Sequence, residues 1–367
     1  AGGGSIARYD PVYKTVKIGP DSAGSDPGPA CYARGGRQPT VTDADLLLGY
    51  LDPDNYAGGS IKLNLRRAGQ AIEGLARQMD VDVIEMAKRI KRRADNDMAV
   101  GIVSELSSRG YKASEFNMLA YGGNGPLHCC GIAAAANIGQ VLIPPFSSVF
   151  SACGAGGMAQ LHIHEYTRTT AIYNQLTKEV FSDYDGFNAI VARLEERGRH
   201  DLLRQGCAPE TVRHRLELDI RYGAQKIETG VVFERNRLVG QSDVFDLIAK
   251  HRLDYEHRFG LTAPAPETGI WISNFRVASY VEHQPVKFGD LRGAVAPRQV
   301  TATGRRCCHF VGHDGALDCP VFGADALAEG VSIDGPAIVT TGVTTYLVEP
   351  GWRFTAAAQG AIWMKEI

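Results

Sequence analysis

The stretch IGPDSAGSDPGPACYARGG, Ile18 to Gly36, packs five glycines, three prolines, two aspartates and one cysteine into nineteen residues. It shows neither the helical period nor the alternation of a strand. Two readings compete, a flexible linker and a shaped loop. Its position decides against the linker. It lies between the glycine segment GGGS (Gly2–Ser5) and a helix expected over Asp43–Leu51, capped by Thr40 or Thr42. No boundary in composition falls there. Prolines set among glycines fix an irregular backbone that a tether does not need.

Outward from that loop, the chain of 367 residues has room for two domains, and its 44% hydrophobic content suits a buried core. A formal net charge of −2, without a basic block, argues against nucleic acid or an anionic membrane surface as partner. No apolar run reaches the ~18 residues of a membrane-crossing helix. The eight cysteines include no CxxC, and two pairs (Cys129 with Cys130, Cys307 with Cys308) are sequence neighbours. That usage fits a reduced, cytoplasmic enzyme better than a disulfide scaffold or a zinc ribbon. The start, AGGGSIARYD, has no Met and no signal-peptide pattern, and we expect a piece of a longer polypeptide.

Residues 1–60 otherwise read as irregular. Helices are expected over 64–79 and 82–109. In the second, Val83, Ala87, Ile90, Ala94, Met98, Ile102 and Leu106 form one apolar stripe, Asp82 with Glu85 makes a capping box, and Gly110 ends it. The basic run KRIKRR (Lys88–Arg93) reads as its solvated face. Next, Phe116–Tyr121 reads as a strand, Pro126 starts a helix to about Asn137, and Gln140–Ile143 is a second strand. Gly122, Gly123 and Gly125 thus stand at a strand-to-helix turn. Beyond residue 160 most segments alternate, apart from helices near Phe187–Gln205 and Val244–Phe259. The expected division is 1–160 and a β-rich domain over 161–367.

Glycines at such a turn let a ligand approach the backbone, and the helix N-terminus offers N–H groups and the positive end of its dipole. GGNGP (Gly122–Pro126) therefore suits a nucleotide, and equally suits a turn that merely needs small residues. GxxxxGK[ST], HExxH and GxSxG motifs are absent, as is a strand-coupled GxGxxG. His162 and His164 share one strand face beside Glu165, a metal-capable spacing with no third ligand in view. Cys153 and Cys31 are thiols without an identifiable base.

The longer segment GPDSAGSDPGPACYARGGRQPTVTDADLLLGYLDP (Gly19–Pro53) resembles the signature of the hydantoinase A/5-oxoprolinase family. AYGGNGPLH, VLIPPFSSVFSACGAG, LDIRYGAQ and DGPAIVTTGVTTYLVEPGW resemble further family segments, in order along the chain. PPFSSVFSACGAGGMAQLHIHE and DIRYGAQKIETG most resemble the ATP-dependent ketone carboxylases, in particular the hydantoinase A-like subunit of acetone carboxylase.

The resemblance implies an α/β fold: the C-terminal part of an actin-like (RNase H-like) ATPase domain, then a β-rich α+β domain. It implies ATP and Mg²⁺ as cofactors. Gly2, Gly3 and Gly4 would be the tail of a phosphate-proximal segment, and Gly122, Gly123, Asn124 and Gly125 the adenosine-side turn. Asp21, Asp26 and Asp43 are the candidate Mg²⁺ shell, with turn or cap formation as the alternative for each. The family's upstream DxGGT-type loop is not in this chain, so turnover by this portion alone is not expected. The implied reaction is carboxylation of acetone or another small ketone with bicarbonate and ATP, through phosphorylated intermediates, to give acetoacetate in the acetone case. ATP-dependent hydrolysis of a hydantoin or 5-oxoproline is the alternative. A non-catalytic scaffold is a reading of another class. The implied partners are a hydantoinase B-like subunit and a small third subunit, with a transition metal held in the partner.

Overall fold

The computed structural model describes residues 2–261, 263–282 and 300–367. Two compact units result, one from residues up to 154 joined by 300–367, the other from 155–282.

The first unit opens with an antiparallel hairpin, β1 (Ser5–Asp10) and β2 (Thr15–Ser22), with Tyr9 opposite Val16. This corrects the irregular reading of the N-terminal segment, since Ile18–Ser22 of the quoted stretch ends a strand. Gly19 and Pro20 interrupt its pattern and its far end is exposed, so no buried face was there to read. Helix α1 (Val41–Leu47) starts two residues earlier than expected, with Thr40 as N-cap. Helices α2 (Leu65–Gln78) and α3 (Val83–Ser108) lie where the periodicity puts them. Asp82 caps α3 by accepting from the N–H groups of Ile84 and Glu85, both at 2.9 Å. Glu85 does not close the expected capping box: it pairs with Arg89 at 2.8 Å. Met86, Ala87, Ile90 and Ala94 pack with Leu46 of α1 and Ile72 of α2 in one core. Each large apolar side chain so buried contributes about 1.5–3 kcal/mol.

The strand-turn-helix-strand unit is present: β3 (Met118–Leu119), α4 (Gly125–Ala135) and β4 (Gln140–Ile143), with β3 parallel to β4. Strand β3 is shorter than expected. It is the edge of its sheet, and beyond it the N–H of Gly122 bonds the Ser147 carbonyl at 2.7 Å, outside the ladder.

After the short helix α5 (Phe150–Gly157), the second unit comprises β5 (Gln160–Tyr173), α6 (Tyr184–Arg204), β6 (Arg213–Tyr222), β7 (Thr229–Phe233), α7 (Gln241–Phe259) and β8 (Ile270–Val281). Its sheet has the order β5-β8-β6-β7 and is antiparallel throughout. Phe187 and Leu194 of α6 and Leu247 of α7 share a core with Leu218 and Phe275.

The remaining strands are β9 (Gly304–Cys308), β10 (Leu317–Phe322), β11 (Ser332–Asp334), β12 (Ala337–Thr340), β13 (Thr345–Val348), β14 (Trp352–Ala356) and β15 (Ile362–Glu366). They build into the first unit. One sheet is β13-β12-β10-β9, and the other, β11-β14-β15-β4-β3, sets Ile362 of β15 opposite Ile143 of β4. The segment expected as one domain over 161–367 is thus divided between the two units. Alternation reports that a segment is a strand but not which distant strand it pairs with.

Candidate functional site: two cavities at a glycine turn

The signature loop is held by one carboxylate. Asp43, wholly buried on α1, accepts from the backbone N–H of Cys31 at 2.7 Å, of Ala30 at 3.3 Å and of Thr40 at 3.0 Å, and from the Thr40 hydroxyl at 2.8 Å. In return the Thr40 hydroxyl accepts from the Asp43 N–H at 3.3 Å, so the pair is a capping box that also pins the loop. A carboxylate offers about four acceptor positions, and these donors take them up. Burial, and then the charge of Asp43, pushes the Cys31 thiol up, so the thiolate a nucleophile needs is disfavoured.

The two glycine segments, far apart in sequence, meet at the start of α4. The Thr42 N–H bonds the Gly3 carbonyl at 2.8 Å, and a Cβ on Gly3 would stand 2.6 Å from the Asn124 side-chain nitrogen. Gly3 is a packing glycine, and so is Gly4, whose Cβ would meet Ser22. Gly122 has φ +90°, a backbone that side chains strain to adopt. Gly2 and Gly123 differ: a Cβ on either meets nothing within 4 Å. Asn124 precedes α4 without capping it through its side chain.

Asn124 borders two cavities. The first, about 260 Å³, has a lining of mixed polar and apolar side chains. Gly123 and Asn124 border it, as does the Thr340–Thr345 segment, with Tyr32, Tyr56, Asn55, Asp52 and the apolar Leu51, Ile61 and Leu127 among the rest. The Thr344 hydroxyl donates to the Gly123 carbonyl at 2.7 Å and so ties the loop to the turn. The Tyr32 and Tyr56 hydroxyls lie 3.2 Å apart. The second cavity, about 180 Å³, is lined by Gly2, Tyr121, Asn124, Gly125 and His128 together with the apolar Val41, Ala94, Met98 and Ile132.

Behind this turn lies a buried charge network. Lys91 Nζ stands 2.5 Å from Asp95 Oδ2 and 3.1 Å from Glu349 Oε1. His128 Nδ1 is 2.7 Å from Asp95 Oδ1, and its Nε2 is 3.3 Å from Asp45 Oδ2. Both Asp45 oxygens lack an aligned hydrogen bond. Burial opposes charge on His128, but Asp45 and then Asp95 overcome it and raise His128 to about 9. Burial likewise opposes charge on Lys91, and Asp95 with Glu349 holds it well above its ordinary value. The KRIKRR face is therefore not uniformly solvated: Lys91 is 1% exposed, while Arg92 faces solvent and Arg93 pairs with Asp97 at 2.8 Å.

The three candidate Mg²⁺ aspartates are not brought together. Asp21 pairs with Arg8 at 2.6 Å on the surface, Asp26 is exposed, and Asp43 is spent on the loop. Among the described residues no three or more His, Cys, Asp or Glu side chains gather as metal ligands. These aspartates do not fit a shared Mg²⁺ shell. His164 is held by Asp201 at 2.9 Å on the second unit's sheet, and His162 gains no ligand partner there. All eight cysteines are free. Among the described residues no helix is long and apolar enough to cross a membrane.

Sequence reasoning did not find the network, the Thr340–Thr345 wall or the tyrosine pair. One signal was available. His128 is the one basic side chain in GPLHCCGIAAA (Gly125–Ala135), otherwise apolar apart from two thiols, and such a group, once buried, needs polar or charged partners.

The family model described as Hydantoinase/oxoprolinase matches residues 1–164, and the Hydantoinase/oxoprolinase C-terminal domain matches 176–366. The acetophenone carboxylase gamma subunit of Aromatoleum aromaticum is 33% identical over 363 residues, 98% of this chain and 49% of that protein. The crystal structure of the ATP-dependent caprolactamase from Pseudomonas jessenii superposes with TM-score 0.79 at 29% identity, over all of this chain and 52% of that one. A nucleotide-free acetone carboxylase structure gives TM-score 0.73 at 22% identity, also over all of this chain and 52% of that one, a likeness of fold. The chain spans about half the length of the curated relatives it matches.

Proposed function

Because this chain belongs to the hydantoinase/oxoprolinase family, we propose that it is the nucleotide-handling portion of an ATP-dependent ketone carboxylase. The observation that carries this reading is the meeting of the two glycine segments at the N-terminus of α4, with an open backbone at Gly123 beside the larger of the two cavities. Similarity to the acetophenone carboxylase gamma subunit supports the ketone class, with acetone and bicarbonate as the first substrates to try.

Bound ATP would supply the phosphoryl group that makes a poor oxygen leaving group a good one. This chain's residues bind and orient. Gly123 admits the ligand to the backbone, and the α4 N-terminus favours its negative charge. Asn124 offers an amide to either cavity, and Thr344 holds the turn in place. Gly3 and Gly4 set the loop geometry that Gly2 and Asn124 need. Mg²⁺ is proposed to arrive with the nucleotide, held chiefly by phosphate and water oxygens as that ion prefers. The first unit is proposed to be the C-terminal part of an actin-like ATPase domain. Its proposed setting is a cytoplasmic complex with a hydantoinase B-like subunit, which holds the transition metal, and a small third subunit.

A second reading, ATP-dependent lactam hydrolysis, is favoured by the likeness to caprolactamase. A docking scaffold is the reading of another class. The test is ATP consumption by the complete complex with acetone plus bicarbonate, with acetophenone plus bicarbonate, with caprolactam and with 5-oxoproline. The carboxylase reading expects bicarbonate-dependent consumption with a ketone. Consumption with lactam alone moves the function to hydrolysis, and none with any substrate leaves the scaffold.

A further inference from the structure

The second cavity has a chemistry of its own. Its lining includes the apolar side chains of Val41, Ala94, Met98 and Ile132, and polar atoms or charge come from Asn124, His128, the Tyr121 hydroxyl and the backbone of Gly2 and Gly125. Its volume, about 180 Å³, exceeds the ~150 Å³ of an apolar cavity that takes a benzene-sized guest. It shares Asn124 with the larger cavity assigned above to the nucleotide.

The charges behind it select against an anion. His128 is already flanked by Asp95 on one ring nitrogen and Asp45 on the other, and Lys91 by Asp95 and Glu349. The formal balance is two cations, Lys91 and His128, against three carboxylates, Asp45, Asp95 and Glu349. A further carboxylate in the cavity would meet that negative excess at low dielectric and find no uncommitted cation, against which the N-terminus of α4 at Gly125 offers only a partial positive charge. A neutral carbonyl compound meets no such cost. Its alkyl or aryl part would lie against Met98 and Ile132, and its oxygen would have the Asn124 amide within the same cavity.

We propose that this cavity is the acceptor subsite and that it takes a neutral ketone or lactam while rejecting a substrate that carries its own carboxylate. The proposal rests on the nucleotide reading for its partner cavity, yet ligand binding tests it separately. Two substitutions fill the cavity. Gly2→Leu adds a side chain where nothing lies within 4 Å, and Met98→Phe enlarges another lining side chain.

The experiment is ligand-observed NMR on the complete polypeptide with a non-hydrolysable ATP analogue, using acetone, acetophenone, caprolactam and 5-oxoproline as probes. Circular dichroism confirms that each variant is folded. The wild-type protein should bind caprolactam or a ketone at least about tenfold more tightly than 5-oxoproline, and each filled variant should weaken the neutral probe by about tenfold. Preference for acetone or acetophenone over caprolactam assigns the ketone source, and the reverse assigns the lactam. Equal binding of 5-oxoproline, unchanged binding in both filled variants, or no binding of any neutral probe overturns the proposal. Loss of analogue binding with neutral probes still bound would instead overturn the nucleotide reading and leave this subsite standing.

Discussion

Nδ1 of His128 lies 2.7 Å from Oδ1 of Asp95, and both side chains are almost wholly buried. That contact joins the helix after the glycine turn to the long helix α3, and through Lys91 to Glu349 beyond β13. A buried pair is costly to break, because the surviving partner keeps its charge without solvent. Asp95→Asn should destabilise the protein by roughly 3–5 kcal/mol, measured by urea denaturation, whereas the exposed pair Arg77 with Glu73 should contribute less than about 1 kcal/mol.

The same histidine, held charged by Asp45 and then by Asp95, makes stability depend on alkali. His128 is raised to about 9 in the folded protein against an ordinary value of 6.5. Its stabilising contribution is complete below about pH 6.5 and is lost as pH rises through about 9. Denaturation midpoints should therefore fall between pH 6.5 and 9. His128→Gln should be less stable at pH 6 and should lack that slope.

In the second unit His251 has the opposite sign. It is fully buried, its ring nitrogens have no hydrogen-bond partner, and burial lowers it to about 4. Protonation in the unfolded chain begins at about 6.5, so stability present above that pH is lost as pH falls toward 4. The loss should reach on the order of 3 kcal/mol. His251→Phe, which fits among Tyr222 and Tyr255, should flatten the acid limb in a pH series of thermal melts.

Asp43 is expected to matter for the loop. Asp43→Ala removes the acceptor for Ala30, Cys31 and Thr40 at once, and should cost on the order of 3 kcal/mol. The buried Cys31 thiol should then react faster with a thiol reagent. Unchanged labelling would show that the loop is held by something else.

How far the sequence foretold this structure differs between parts. Helices α2 and α3 and strand β4 were legible because each carries a local pattern: a cap, a stripe or a proline stop. The hairpin β1–β2 was not, since its outer half buries little. The return of β14 and β15 to β4 was not legible either, because pairing across more than two hundred residues leaves no local mark. At the site, the glycines were visible as types, but their roles were not. Only coordinates separate Gly123, with open space at its Cβ, from Gly3, which has Asn124 there. Lys91 looked like part of a solvated run, and its burial depends on carboxylates supplied by its own helix and by Glu349, 258 residues away.

The nucleotide reading stands or falls on Gly123. Gly123→Val adds a side chain at the border of the larger cavity, where a Cβ meets nothing within 4 Å, whereas Gly122→Val forces a side chain onto φ +90° and should cost about 1 kcal/mol or more in stability. The direct measurement is calorimetric titration of MgATP into the complete polypeptide and its Gly123→Val variant, with circular dichroism confirming that the variant is folded. Binding by the wild type and its loss in Gly123→Val is the expected result. Equal MgATP affinity in the two proteins, or no binding by the wild type, would contradict a nucleotide site at the glycine turn.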